Sequence, residues 1–221
     1  MTLFDIIFTY REGLLAGLLV TLKLCFVIWA SGLILGTILG YLGSKYRSEI
    51  GVPVSIVAFI LSGIPVLVLL FWLHYPVQAM LDVVIDPFYT ACFALSLVNI
   101  FAVSEIVRSA LSNFPTQYNL AAKVCGLTPK ETFQKIELPI VLRQIMPSLL
   151  SLQVNMLQLT LFASLISVEE VFRVAQRINS LIYKPIEIYS ALAIFFLAIC
   201  LPLNGVALWL KYKFTRDISE Q

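Results

Sequence analysis

Glu105 and Arg108 stand three residues apart in "SEIVRSAL", which begins at Ser104 inside a long apolar run. That spacing puts both charges on one face of a helix, with Ser109 and Ser112 following on the same side. An ionisable group in such surroundings is expensive and is a site candidate by default. Two roles are open to it: an ion pair that braces the chain or contacts the loop that follows, and a Glu105 carboxylate that receives a cationic solute. A second set of polar residues lies farther on. At about 100° per residue, Ser148, Ser151, Asn155 and Gln158 share one helix face, and Gln153, Thr160, Ser164 and Ser167 share the opposite one. A helix with two polar seams cannot show both to lipid. One seam is expected to meet its own bundle or a second subunit and the other a solute path, unless both are interhelical hydrogen bonds, each commonly about 0.6 kcal/mol in membranes. Asn155, Gln158, Thr160 and Glu105 are the candidate pathway residues.

Other constellations point to less. Glu169 and Glu170 with Arg173 and Arg177 form helical i,i+4 and i,i+3 pairs. They read as a solvated face or a docking surface more readily than as paired acid and base. His74 is the sole histidine and sits beside Tyr75 and Pro76 at the end of an apolar run, where interfacial residues gather. Cys25, Cys92, Cys125 and Cys200 are far apart, three of them in apolar runs, and read as small buried hydrophobes rather than disulfides or metal ligands. There is no HExxH or GxSxG, so neither catalytic residues nor a metal site are expected. No GxxxxGK[ST] is present to cradle nucleotide phosphates.

The elements that position these residues follow from composition. The 221 residues are 60% hydrophobic and 13% charged, against roughly 45–50% and 25% for soluble domains. The chain therefore belongs to the membrane class. Apolar runs predict five transmembrane helices, at about 14–42, 52–75, 88–112, 144–168 and 186–210, in an all-α integral membrane protein read as one domain over 1–221. The first run is too long for the core of a signal peptide, and it begins only after Arg11, so it is expected to remain as a span. Lys45, Arg47, Lys123, Lys130, Lys135, Arg143, Lys211, Lys213 and Arg216 fall in one set of connections. The other set holds Arg11, Arg173, Arg177 and Lys184 and also the acidic loop with Asp82 and Asp86. The positive-inside rule then puts the 113–143 connection and the C-terminus in the cytoplasm and the N-terminus outside. No repeat divides the chain into inverted halves, which disfavours a self-sufficient carrier.

Between the third and fourth spans lies "NLAAKVCGLTPKETFQKIELP", residues 119–139, helical in pattern and too polar to cross a membrane. A short helix is expected to end at Gly126, the residue type suited to a left-handed C-terminal position. A second helix begins at "TPKE", with Thr128 as N-cap, Pro129 at the first position and Glu131 closing a capping box. "ELP", 137–139, is expected to end it. Leu120, Ala121, Val124 and Leu127 fall on one side, and Ala121, Ala122 and Gly126 permit close approach. That face suits a groove on another protein, the lipid headgroups, or the underside of its own bundle.

This segment resembles the cytoplasmic "E-A-A, three residues, Gly" loop of the permease subunits of ABC importers: Ala121, Ala122 and Gly126 match, and "IELP" matches the "I-x-L-P" that follows. "GLLVTLKL" from Gly17, "GIPVLVLLFWLHY" from Gly63 and "SEIVRSAL" are similar to the polar amino acid uptake branch, so the resemblance runs from Gly17 to about Ile194. Asn119 stands where the family has Glu, Ser62 and Ile64 replace Arg and Thr of "R-G-T-P", and Leu159 replaces an acid in "L-K-D-T-S-L".

The resemblance implies a multi-pass permease of the bacterial cytoplasmic (inner) membrane that does no chemistry itself. Its coupling residues would be Asn119, Ala121, Ala122, Gly126, Leu127, Thr128 and Lys130. It implies an ABC ATPase dimer that carries ATP and Mg, with no cofactor on this chain. It also implies a second permease subunit, identical or related, and an extracytoplasmic solute-binding protein. The cargo would be a polar amino acid or similar solute, moved by alternating access; lipid surrounds the chain and no nucleic acid is involved. The other reading is a self-contained channel or secondary carrier with a regulatory loop, which would pass solute without an ATPase.

Overall fold

The structure is a computed structural model that describes residues 3–219, with side chains described for 4–214. The side chain of Arg216, counted above among the basic residues of the tail, lies outside that range. After a short helix α1 (Leu3–Thr9) comes α2 (Arg11–Lys45), 35 residues long. Gly36 and Gly40, four residues apart, let α2 touch α5 (Pro87–Ser112) backbone to backbone. A Cβ at Gly36 would lie 2.7 Å from the Ile100 carbonyl oxygen, and one at Gly40 would lie 2.6 Å from that of Ser104. Close small-residue contacts of this kind replace the hydrophobic drive that helices lack in lipid. Between Gly32 and Gly36 the helix widens into a π turn.

The second apolar run is not one straight span. α3 (Arg47–Gly63) and α4 (Val66–Leu81) meet at 96°. Ile64 precedes a proline and is therefore pushed out of the helical region, to φ −95° and ψ 121°. Pro65 follows with ψ 129° and serves as the cap of α4. So 52–75 forms one bent span or a re-entrant pair, and four other helices are long and apolar enough to cross a membrane.

α5 is the hub. Asp86 caps it by accepting the Phe88 N–H at 2.8 Å, Pro87 occupies its first position, and it packs on α2, α3, α4 and α7. α7 runs unbroken for 38 residues (Pro129–Ile166), so the expected stop at "ELP" does not occur. Pro139 has no N–H, and its ring would clash with the carbonyl four residues back in an α-helix. A π turn at Phe133–Glu137, where the Leu138 N–H reaches the Phe133 carbonyl, absorbs that conflict. The far end of α7 tightens to a 3-10 turn over Thr160–Ile166 and stops at Ser167, whose φ is +72°.

The charge pairs expected at the start of α8 (Val171–Ile182) are absent. Glu170 is fully buried and caps the helix, accepting the N–H groups of Phe172 at 2.9 Å and Arg173 at 2.8 Å. Arg177 pairs instead with Glu169, 2.9 Å away and eight residues back. This is a tertiary consequence: α8 lies against α2, where the Val171 N–H donates to Thr21 Oγ1 at 3.2 Å, and that contact carries Glu170 inside. α9 (Pro185–Ser219) then runs beside α7. A core of Leu24, Ile28, Leu70, Leu95 and Ile166 joins α2, α4, α5 and α7.

Candidate functional site: the elbow and the polar seam

Helix α6 (Thr116–Val124) and the start of α7 form an elbow whose bend is fixed locally. The Leu127 N–H reaches the Ala122 carbonyl and the Gly126 N–H that of Lys123, each at 3.0 Å, a Schellman closure with Gly126 at φ +76°. An L residue pays roughly 1–2 kcal/mol for that conformation, so glycine has a conformational reason here. The capping box is present: Thr128 Oγ1 accepts the Glu131 N–H at 3.3 Å, and Glu131 Oε2 accepts the Thr128 N–H at 3.0 Å.

The elbow is anchored on the bundle through its inner face. Phe114 and Tyr118 sit ring to ring at 5.5 Å over a cluster that includes Val103, Val107, Val141 and Ile145. Phe133 meets Tyr41 of α2 at 5.5 Å. The outer face is left bare: Leu120 is 61% and Val124 89% exposed, Ala121, Gly126, Thr128 and Lys130 are exposed, and Asn119 and Leu127 are half-buried. Ala122 faces the bundle and is buried. Around Gly126, 4 Å of open space surrounds the position a Cβ would take. Cys125 is also exposed, unlike the other three cysteines.

The two seams of α7 are in unlike surroundings. Gln153, Thr160 and Ser164 are buried against the bundle. Thr160 Oγ1 and Ser164 Oγ donate to carbonyls of their own helix, Leu157 and Leu161, both at 2.7 Å. Ser148, Ser151, Asn155 and Gln158 are exposed along the other face. At the elbow end this seam opens into a groove of about 460 Å³ between α7 and α9, lined by Gln144, Ser148, Ser151 and Lys211. So Thr160 is not brought together with Asn155 and Gln158. Glu105 is also elsewhere, on α5, where it accepts from Arg108 Nε and from Ser55 Oγ of α3, both at 3.1 Å.

Two residues escaped the sequence analysis. Asn99, fully buried in α5, donates through Nδ2 to the Ile28 carbonyl at 2.8 Å and to Gln153 Oε1 at 3.0 Å, and Trp29 Nε1 donates to the Gln153 carbonyl at 3.0 Å. This node joins α2, α5 and α7, and a Cβ at Gly32 would strike the Asn99 side chain. A lone Asn inside an apolar run was the available signal. Lys23 is the other, an exposed lysine inside α2. Among the described residues no group of three or more His, Cys, Asp or Glu could hold a metal ion.

Known proteins share this architecture. Residues 32–216 match the family described as binding-protein-dependent transport system inner membrane component. The chain is 27% identical to the octopine transport system permease protein OccM of Rhizobium meliloti, over 99% of this chain and 97% of that one. It is 28% identical to the glutamine transport system permease protein GlnP of Escherichia coli (strain K12), over 87% and 89%. With the L-cystine transport system permease protein TcyB of Bacillus subtilis (strain 168) it shares 29%, over 92% and 87%. Among solved structures, one of an amino acid ABC transporter with histidines superposes with a TM-score of 0.83 at 23% identity, covering 94% of this chain and 96% of that one. An inward-facing MetNI methionine ABC transporter superposes at 0.71 and 16% identity, covering 93% and 98%.

Proposed function

The chain belongs to the family of binding-protein-dependent transport system inner membrane components, and on that premise we propose that it is a permease subunit of a bacterial ABC importer for a polar amino acid or similar solute. The whole chain, 1–221, acts as one permease domain, with the N-terminus outside and the elbow and C-terminus in the cytoplasm. Its elbow docks on a separate ATPase dimer, which holds ATP and Mg, and a binding protein delivers solute from outside. A second permease subunit covers the seam of Ser148, Ser151, Asn155 and Gln158, and solute passes along it. Nucleotide state changes the relative free energies of inward-facing and outward-facing forms through the elbow. In this scheme Glu105, already satisfied by Arg108 and Ser55, holds α3 to α5 and does not meet solute.

The observation that carries the docking role is the elbow's uncovered apolar face around Gly126, built on a corner that its own hydrogen bonds hold in shape. Gly126→Asp meets no neighbour in the open space there and carries a local backbone cost of about 1–2 kcal/mol at the surface, so the variant is expected to reach the membrane and fail to dock. Affinity purification in mild detergent, followed by mass spectrometry, is expected to recover an ABC ATPase with the wild-type chain and not with the variant. Solute flux in liposomes that lack any ATPase would sink the subunit reading in favour of a self-contained carrier.

A further inference from the structure

At the opposite end of the molecule from the elbow, α1, α2, α8 and α9 enclose an apolar groove of about 300 Å³, walled by residues such as Ile7, Leu14, Leu18, Ala175 and Leu192. One charged side chain, Arg11, lines it. Arg11 also lines a second hollow of about 440 Å³, shared with Tyr10, Glu12 and Arg177, so the two hollows adjoin at this residue. Its guanidinium stands over the Phe8 ring, 4.8 Å from the centroid, and forms no salt bridge among the described residues. Arg177 is already neutralised by Glu169. Among the described residues, the second hollow therefore keeps one cation, Arg11, and one carboxylate, Glu12, that form no ion pair.

That juxtaposition is amphiphilic in its lining and its charge. An apolar slot beside a polar hollow matches a molecule with a hydrocarbon tail and a polar head. Among polar heads, one unpaired cation and one unpaired anion complement a zwitterion. A guanidinium binds phosphate oxygens through paired N–H groups, and a carboxylate accepts from an ammonium. We propose that this is a binding site for a phosphoethanolamine-type glycerophospholipid, with one acyl chain in the groove, its phosphate on Arg11 and its ammonium on Glu12. The lipid would fill the space between α8 and the ends of α1, α2 and α9. The inference needs only a chain resident in a bilayer, so its failure leaves the transport reading untouched.

Native mass spectrometry of the full chain, purified with its partners in mild detergent, tests it. One retained phosphatidylethanolamine is expected on the wild-type protein. Arg11→Gln, which loses a charge-assisted contact, and Ala191→Phe, which fills the groove, are each expected to weaken retention about tenfold. Glu12→Gln is expected to keep a lipid but lose the preference for phosphatidylethanolamine over phosphatidylglycerol. The wild-type protein gives an independent answer: after delipidation, its Tm is expected to rise with phosphatidylethanolamine and stay level with phosphatidylglycerol. No adduct on the wild type, equal retention of the two lipids, retention unchanged by both groove variants, or a Tm indifferent to phosphatidylethanolamine would each overturn the proposal.

Discussion

Glu170 is held by two backbone N–H groups, and among the described residues no cation pairs with it. Burial pushes its carboxyl up to about 7 and the neighbouring Glu169 charge adds to the rise, while the two N–H bonds oppose it. The folded value lies above the ordinary 4.5, so the contribution to stability is full below that pH and is lost as pH rises through about 7. Glu170→Gln keeps an acceptor for the cap and removes the titration. Thermal unfolding in detergent from pH 4.5 to 7.5 is expected to show the wild type losing stability, on the order of 3 kcal/mol at most, and the variant staying level across that window. The Asn99 node gives a second prediction. Asn99→Leu strands the polar end of Gln153 in the core and is expected to cost about 1–3 kcal/mol. Adding Gln153→Leu removes the orphan and is expected to recover most of that loss, measured as Tm in one detergent. If the double variant is less stable than the single one by a further full increment, the two side chains act independently and the node is wrongly drawn.

At the level of elements, the contact between α2 and α5 is the most demanding. Gly40→Val would push a branched side chain against the Ser104 carbonyl and Val107, and the helices cannot part without losing the Asn99 bonds above. A loss of about 1–3 kcal/mol or more is expected, read as a lower Tm and a faster loss of assembled protein in detergent. The apolar runs, Gly126 and the capping box were legible in the sequence because each is decided within a few residues. Hydropathy alone marks a span, and Thr128 reaches Glu131 without help from elsewhere. What was not legible depends on distant partners or on a choice between competing helix forms. "ELP" looked like a stop because Pro139 forbids an α turn, yet a π turn satisfies it. The charges of Glu169 and Glu170 with Arg173 and Arg177 suited helical pairs, but α2 lies over Val171 and takes Glu170 inside. Thr160 shares its burial with Gln153, a distinction that a helical wheel of α7 shows as a face but not as inward or outward.

For the whole molecule, the exposed seam of α7 sets Ser148, Ser151, Asn155 and Gln158 on the outside of an apolar helix, and its covering is the natural test of assembly. Asn155→Cys, in a chain whose exposed Cys125 is changed to Ala, is expected to give a disulfide-linked pair of permease chains in native membranes on mild oxidation. The same replacement at Phe26, exposed on α2, is expected to give none. Equal linkage at both positions would remove the seam as the joint between subunits. The unbroken course of α7 has a further mechanical result. Its 38 residues amount to about 57 Å at the usual rise, a single beam carrying the outer face of the elbow near one tip and Asn155 and Gln158 along its shaft. If the elbow docks on an ATPase as proposed, a push there would be delivered as torque about the place where the shaft packs on α5, and the two tips would swing in opposite senses. In that scheme the π turn at Phe133–Glu137 is a compliant joint close to the driven tip, and softening or stiffening that one turn would set how much of the proposed partner's stroke reaches the polar seam as rotation and how much is absorbed.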